Sequence, residues 1–150
     1  MKQMTFGEKL KDKEYKQRIG AYALIFKENK VAVIKLPGGY FLPGGGIEQN
    51  ESNEECLRRE CMEELGCTIN IKKFVCIGSS YNWGRRFNGY IHSIGNFYLA
   101  DSLKKVANPI EKDHELVWLN IEEAYSKMFL AHQAWAIKEG AIFKENLYKK

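Results

Sequence analysis

What the chain lacks narrows its possible roles first. No apolar run approaches the roughly 20 residues that a helix needs to cross a bilayer. The early lysines Lys2, Lys9, Lys11 and Lys13 stand among acids and frame no signal-peptide core, so the expected location is the cytoplasm, away from any membrane. There is no internal repeat, no low-complexity segment and no proline- or serine-rich linker, and prolines number only 3 in 150 residues, which excludes solenoids and strings of tethered modules. The four cysteines, Cys56, Cys61, Cys67 and Cys76, match neither a paired C-x-x-C zinc site nor a small secreted disulfide framework. Cys56 and Cys61 would point about 140° apart on one helix, so reduced, buried thiols are expected. Nor is there a dense basic stripe. The net charge is +4, and the terminal lysines are interleaved with Glu8, Glu14, Glu139 and Glu145, which suits a small anionic substrate and speaks against nucleic acid.

What is present is an ordinary globular composition, 45% hydrophobic and 28% charged, in a length that encloses one proper core. A single domain over residues 1–150 is expected. Residues 1–17 read as an adjustable lead-in. Residues 18–26 are apolar on both alternating faces, the mark of a strand covered on two sides. Residues 27–30 form a turn, and the β-branched residues 31–34 pair back as a hairpin partner before Pro37-Gly38-Gly39 interrupts them. Further strands are expected at 68–77, 89–99 and 116–119, and helices at 52–65, 121–128 and 131–138. The fold class is therefore α+β, a mixed sheet sandwiched between helices.

The chemistry concentrates in residues 42–67. After Pro43, which cannot continue a ladder, Gly44, Gly45 and Gly46 let the backbone turn tightly and approach a ligand closely. Ser52 and Glu55 form a capping-box pattern, and Gly66 stands where a left-handed cap would end a helix. On that helix Leu57, Cys61 and Leu65 make a stripe that packs on the sheet, while Glu60, Glu63 and Glu64 share an adjacent one. Like charges at three- and four-residue spacing repel, and acids in the last turn oppose the helix dipole. Replacing Glu63 or Glu64 by glutamine is thus expected to stabilise the metal-free protein. A convergent carboxylate set of this kind is how proteins hold a hard divalent cation.

Five residues separate Gly45 from Glu51 and seven separate Glu51 from Arg59, followed by Glu60, Glu63, Glu64 and Gly66. This spacing resembles the signature of the Nudix hydrolases, G-x5-E-x7-R-E-U-x-E-E-x-G-U, where U is a bulky aliphatic residue. Cys61 and Cys67 stand at the two aliphatic positions, where cysteine acts as a smaller hydrophobe. The resemblance implies a Nudix fold and hydrolysis of a nucleoside diphosphate linked to another group, with Mg²⁺, or Mn²⁺ in its place, as cofactor. By the same resemblance Glu60, Glu64 and Glu63 are metal ligands together with the Gly45 carbonyl, and Arg59 pairs with Glu51. The general base is either a signature glutamate such as Glu60 or Glu63, or an acid on a distant loop, with Glu111, Asp113 and Glu115 as candidates.

Substrate contacts are expected from Arg18, Gly44 and Gly45, and from residues 81–87, where Trp83, Arg85 and Arg86 put an aromatic ring beside two cations; a plain hairpin turn is the alternative there. His92, His114 and His132 show no metal-ligand spacing and are expected to be structural, and Phe129 and Trp135 to be core. The substrate is expected to be a small nucleotide, acted on by a monomer or homodimer. A nucleotide-sensing module without hydrolysis and an enzyme trimming RNA 5′ ends are the alternatives.

Overall fold

The computed structural model describes residues 2–147, leaving Met1 of the expected lead-in and residues 148–150 outside it. In chain order come β1 (Lys2–Phe6), β2 (Lys16–Lys27), β3 (Lys30–Leu36), β4 (Gly39–Phe41), β5 (Gly44–Gly46), α1 (Asn53–Leu65), β6 (Cys67–Gly84), a 3-10 turn (Arg85–Phe87), β7 (Gly89–Lys105), β8 (Glu115–Asn120), α2 (Ile121–Lys127) and α3 (Ala131–Leu147). The sheet runs β1-β6-β7-β2-β3-β4, with β5 added to β2 and β8 to β3. β2 lies parallel to β7, and β1 parallel to β6. The remaining pairs are antiparallel.

β2 shows why both its faces are apolar. Tyr22 and Leu24 pack with Phe97, Leu99, Ala136 and Ile137 on the side covered by α3. Ala21, Ala23 and Ile25 pack with Cys56, Leu57 and Cys61 on the side covered by α1. Full burial of a leucine, isoleucine or phenylalanine here contributes about 1.5 to 3 kcal/mol. The strand is thus clamped between two helices, and the segment hydrogen-bonded to its edge, β5, inherits a fixed position.

Four expectations need correction. The lead-in contains a strand, β1, although residues 2–5 are exposed and show no alternation. Gly44–Gly46, read as loop, pairs in register with Gly20–Tyr22. α3 continues well past residue 138, because Ile142 and Phe143 extend its pattern to Leu147. Phe129 is not core: it is 62% exposed, lies just before α3 and leans on Phe41 at a centroid distance of 5.5 Å. Trp135 does pack against the α3-side core, and all four cysteines are buried and free.

Candidate active site

α1 starts as its residues dictate. The Ser52 hydroxyl accepts from the Glu55 amide at 3.1 Å, and the Glu55 carboxylate accepts from the Ser52 amide at 2.9 Å. Gly66 ends the helix at φ 65°, ψ 29°, a left-handed conformation that glycine adopts without steric cost. No basic residue occupies the last turn, so Glu63 and Glu64 face the negative end of the dipole, and only Glu63 is offset by a helix neighbour, Arg59 one turn earlier.

The three carboxylates differ sharply in surroundings. Glu64 is only 7% exposed; its Oε1 accepts from the Gly44 amide at 2.9 Å. Burial, with help from Glu60, Glu111 and Glu63, pushes its carboxyl up to about 8, against the pull of the Gly44 amide. Glu60 is also raised, chiefly by burial, with Arg59 opposing. A β-carbon on Gly45 would overlap the Glu60 carboxylate, so only glycine lets β5 lie this close to the helix. Glu63 is more open and meets Arg59 Nη1 at 3.2 Å.

Arg59 organises the near side. Its Nε and Nη2 donate to the two oxygens of Glu51, a bidentate pair, and Nη2 also donates to the Gly46 carbonyl at 3.1 Å. The Arg59 hydrogen bonds and the Glu48 amide hold Glu51 down to about 2. The arrangement is the one the signature resemblance implied for these two residues.

The Gly45 carbonyl does not stand where the sequence led us to expect. The ladder to β2 runs through Pro43 and Ile47, with Ala23 N donating to Pro43 O and Ile47 N to Ile19 O, both at 2.9 Å. Two-residue alternation turns Gly45 inward as well, and its oxygen accepts the Cys56 thiol at 3.3 Å. The outward residues are Gly44, whose amide meets Glu64, and Gly46, whose carbonyl meets Arg59.

Two further groups border the carboxylates. Residues 106–114 cross the end of α1 and bring ligand atoms of Glu111, Asp113 and His114 within 4.8 Å of one another, with His114 Nε2 3.4 Å from Glu64 Oε2. Thus Glu111 borders the carboxylates, its charge acting on both Glu60 and Glu64, and Asp113 reaches them only through His114. Glu115 begins β8 in the open, and His114, expected to be structural, stands against Glu64. Its one sequence signal is the neighbouring Asp113. On the other side Arg18 lies against Gly46 and over the Phe87 ring, 5.4 Å from its centroid, with Arg86 at 5.6 Å from the same ring. Phe87 therefore links Arg18 and Arg86. Arg85 stays at the hairpin tip. Trp83 is drawn away from this group: it is 54% exposed and sits edge-on to Tyr90 on the opposite strand face. His92 stacks on Tyr81 and His132 is buried against Ser80.

An oxygen-only set of three carboxylates, of which Glu60 and Glu64 are raised in pKa chiefly by burial, fits a hard divalent cation and leaves a metal-free site electrostatically unsatisfied. Among the described residues no helix is long and apolar enough to cross a membrane.

A family model described as NUDIX domain matches residues 16–142. Nucleoside triphosphatase NudI of Enterobacter sp. (strain 638) is 46% identical over 55 residues, 37% of this chain and 38% of that protein. The NudI of Escherichia fergusonii is 42% identical over 57 residues, 39% of its length, so the chain matches about two fifths of these curated relatives. Among solved structures, the MutT NUDIX hydrolase of Burkholderia pseudomallei aligns at TM-score 0.64 and 24% identity, over 83% of this chain and 98% of that one. The dihydroneopterin triphosphate pyrophosphohydrolase of E. coli aligns at TM-score 0.63 and 14% identity, over 86% and 98%. These likenesses establish a shared fold.

Proposed function

The chain belongs to the NUDIX domain family, and on that premise we propose that it is a hydrolase cleaving a phosphoanhydride bond of a nucleoside diphosphate derivative, acting as one domain with Mg²⁺ or Mn²⁺. The observation that carries this reading is the buried Glu64 carboxylate, 7% exposed, in a last helix turn without a basic residue and within the field of Glu60 and Glu63. Glu60, Glu63 and Glu64 would hold the cation, with the outward backbone of Gly44 taking the part first given to the Gly45 carbonyl. A divalent cation held there would supply charge neutralisation for the diphosphate and acidify water for attack.

The remaining work falls to the chain itself. Arg59 fixes Glu51 and the Gly46 carbonyl, so the glycine strand keeps its distance from the helix. Arg18 and Arg86, joined through the Phe87 ring, offer positive charge and an aromatic edge to an incoming nucleotide. Glu111, whose charge acts on both Glu60 and Glu64, is the loop acid best placed to serve as the acid or base that sequence alone left open between helix and loop, while Asp113 faces His114. The NudI relatives are named nucleoside triphosphatases, which makes nucleoside triphosphates the first compounds to offer.

The test is a magnesium-supplemented screen of nucleoside triphosphates, oxidised nucleotides, dinucleoside polyphosphates and nucleotide sugars, with phosphate and diphosphate release measured separately. Turnover in ¹⁸O-labelled water should place label in a phosphate-containing product. Label on a sugar carbon, or turnover in chelator equal to that with metal, would overturn the proposal. Binding without turnover would point to the sensing module instead, and competition by long RNA to the RNA-end reading.

A further inference from the structure

The segment that crosses the end of α1 is fastened to it by its own backbone. Val106 and Ala107 amides donate to the Gly66 carbonyl at 2.8 and 3.1 Å, and Ile110 and Glu111 amides donate to the Glu63 carbonyl at 2.9 and 3.0 Å. The Glu63 carbonyl is one of the acceptors that a helix end leaves without a partner inside the helix. The segment is therefore no free loop over the site; four amides hold it in register with the carboxylate-bearing turn. A β-carbon on Gly66 would overlap the Ala107 carbonyl oxygen, so the two backbones are in direct contact.

At the far end of this strap stands His114, with its side chain 15% exposed. Nε2 lies 3.4 Å from Oε2 of Glu64, and Nδ1 lies 3.0 Å from Oδ1 of Asp113. The other oxygen of Glu64 is already held by the Gly44 amide. One carboxylate is thus gripped from two directions, by the glycine strand and by a ring delivered from a distant part of the chain. The Gly44 amide donates a hydrogen bond to one oxygen and the imidazole faces the other at ion-pair distance, so neither oxygen of this glutamate is left without a neighbour.

We propose that His114 is a positioning residue for Glu64: through Nε2 it fixes the outer oxygen of that carboxylate, Asp113 fixes the ring in turn, and Glu64 is presented to the divalent cation in a single orientation. The proposal rests on the metal-binding reading above and adds to it a residue outside the signature. It assigns the strap a function: the same four amides that satisfy the helix end set where the imidazole falls.

The test uses the full chain with Mn²⁺ as probe, at one fixed pH and with no substrate. Affinity is read from the free-ion EPR signal and by calorimetry for wild type, His114→Ala, His114→Asn and His114→Gln. A glutamine amide reaches the place of Nε2, whereas asparagine reaches only that of Nδ1. Loss of the support around a metal ligand typically weakens affinity about 10- to 100-fold, which is the loss expected for the alanine and asparagine variants, with glutamine restoring affinity to within about threefold. Melting temperatures in chelator should stay close to one another across the four proteins. Wild-type affinity in His114→Ala would overturn the proposal. So would a ¹⁴N coupling from histidine in the pulsed EPR of the loaded wild type, which would make His114 a ligand. Equal weakening of the alanine and glutamine variants, together with a lower melting temperature in chelator, would reduce the strap to a purely structural part. A wild type that takes up no Mn²⁺ at all would instead overturn the metal reading, and this proposal with it.

Discussion

Glu63 and Glu64 are neighbours in sequence with opposite fates, and a single substitution at each separates them. Glu63 meets Arg59, so Glu63→Gln removes an ion pair as well as a repulsion, and in chelator it should cost about 0.5 kcal/mol rather than stabilise, as helix spacing alone suggested. Glu64 has no cationic helix neighbour and is buried. Glu64→Gln should therefore raise stability in chelator at low salt by about 0.5 to 1 kcal/mol while lowering turnover at least about a hundredfold; thermal unfolding and steady-state rates check the two halves separately. His132 provides a pH test. Burial, with His92 nearby, depresses it to about 4 from an ordinary 6.5. The unfolded chain thus takes up the proton first: stability from the neutral ring is fully present above about 6.5 and is lost as pH falls toward 4, by up to about 3 kcal/mol. Urea unfolding of wild type and His132→Leu over that window should show a slope in the difference between them; parallel curves would contradict it. At this scale the three carboxylates were legible because fixed spacing on one helix determines what shares a face, while the Glu51–Arg59 pair, which joins the helix to the residue before its cap, was legible only through the signature resemblance. His114 was not legible, since its partner Glu64 belongs to another element and the neighbouring Asp113 says nothing of that contact.

Among the elements α1 was the most legible, both of its ends being written in residues with a mechanical role. Ser52→Ala removes the cap and should cost about 1 kcal/mol. Gly66→Ala meets two obstacles at once, the positive φ and the Ala107 carbonyl, and should cost about 2 kcal/mol or more in thermal or denaturant unfolding. A loss below that of Ser52→Ala would mean that the strap yields. β1 was illegible for a physical reason: its side chains are exposed, and its partner in β6 pairs Lys2 with Cys76, far along the chain. A strand held mainly by its backbone and by edge contacts such as Thr5 with Ser79 and Phe6 with Trp135 leaves little trace in apolar periodicity. β5 escaped for the complementary reason, since three glycines carry no side-chain pattern at all.

Taken as one body, the protein should respond to metal by mass action. Mg²⁺ at about 100 times its Kd adds about 2.7 kcal/mol, a rise of roughly 5 to 10 °C in melting temperature for a chain of this length, with a clearly smaller rise in Glu64→Gln. No shift in the wild type would count against a metal site in the folded state. The α+β class followed from the order of apolar patterns, but the sheet order did not, because pairing between distant strands has no local signature. That pairing also sets a timetable. β2 lies parallel to β7, with Lys16 opposite Ile91, so the central strand waits for a partner made roughly 75 residues later. At typical synthesis rates that interval is about 4 to 15 s, during which the emerging chain carries an apolar strand with one long edge still open. β3 and β5 follow β2 closely and cover its other edge soon after it is made. The nascent chain is therefore shielded first on the edge where the carboxylates will sit, and stays exposed longest on the edge that only β7 can close.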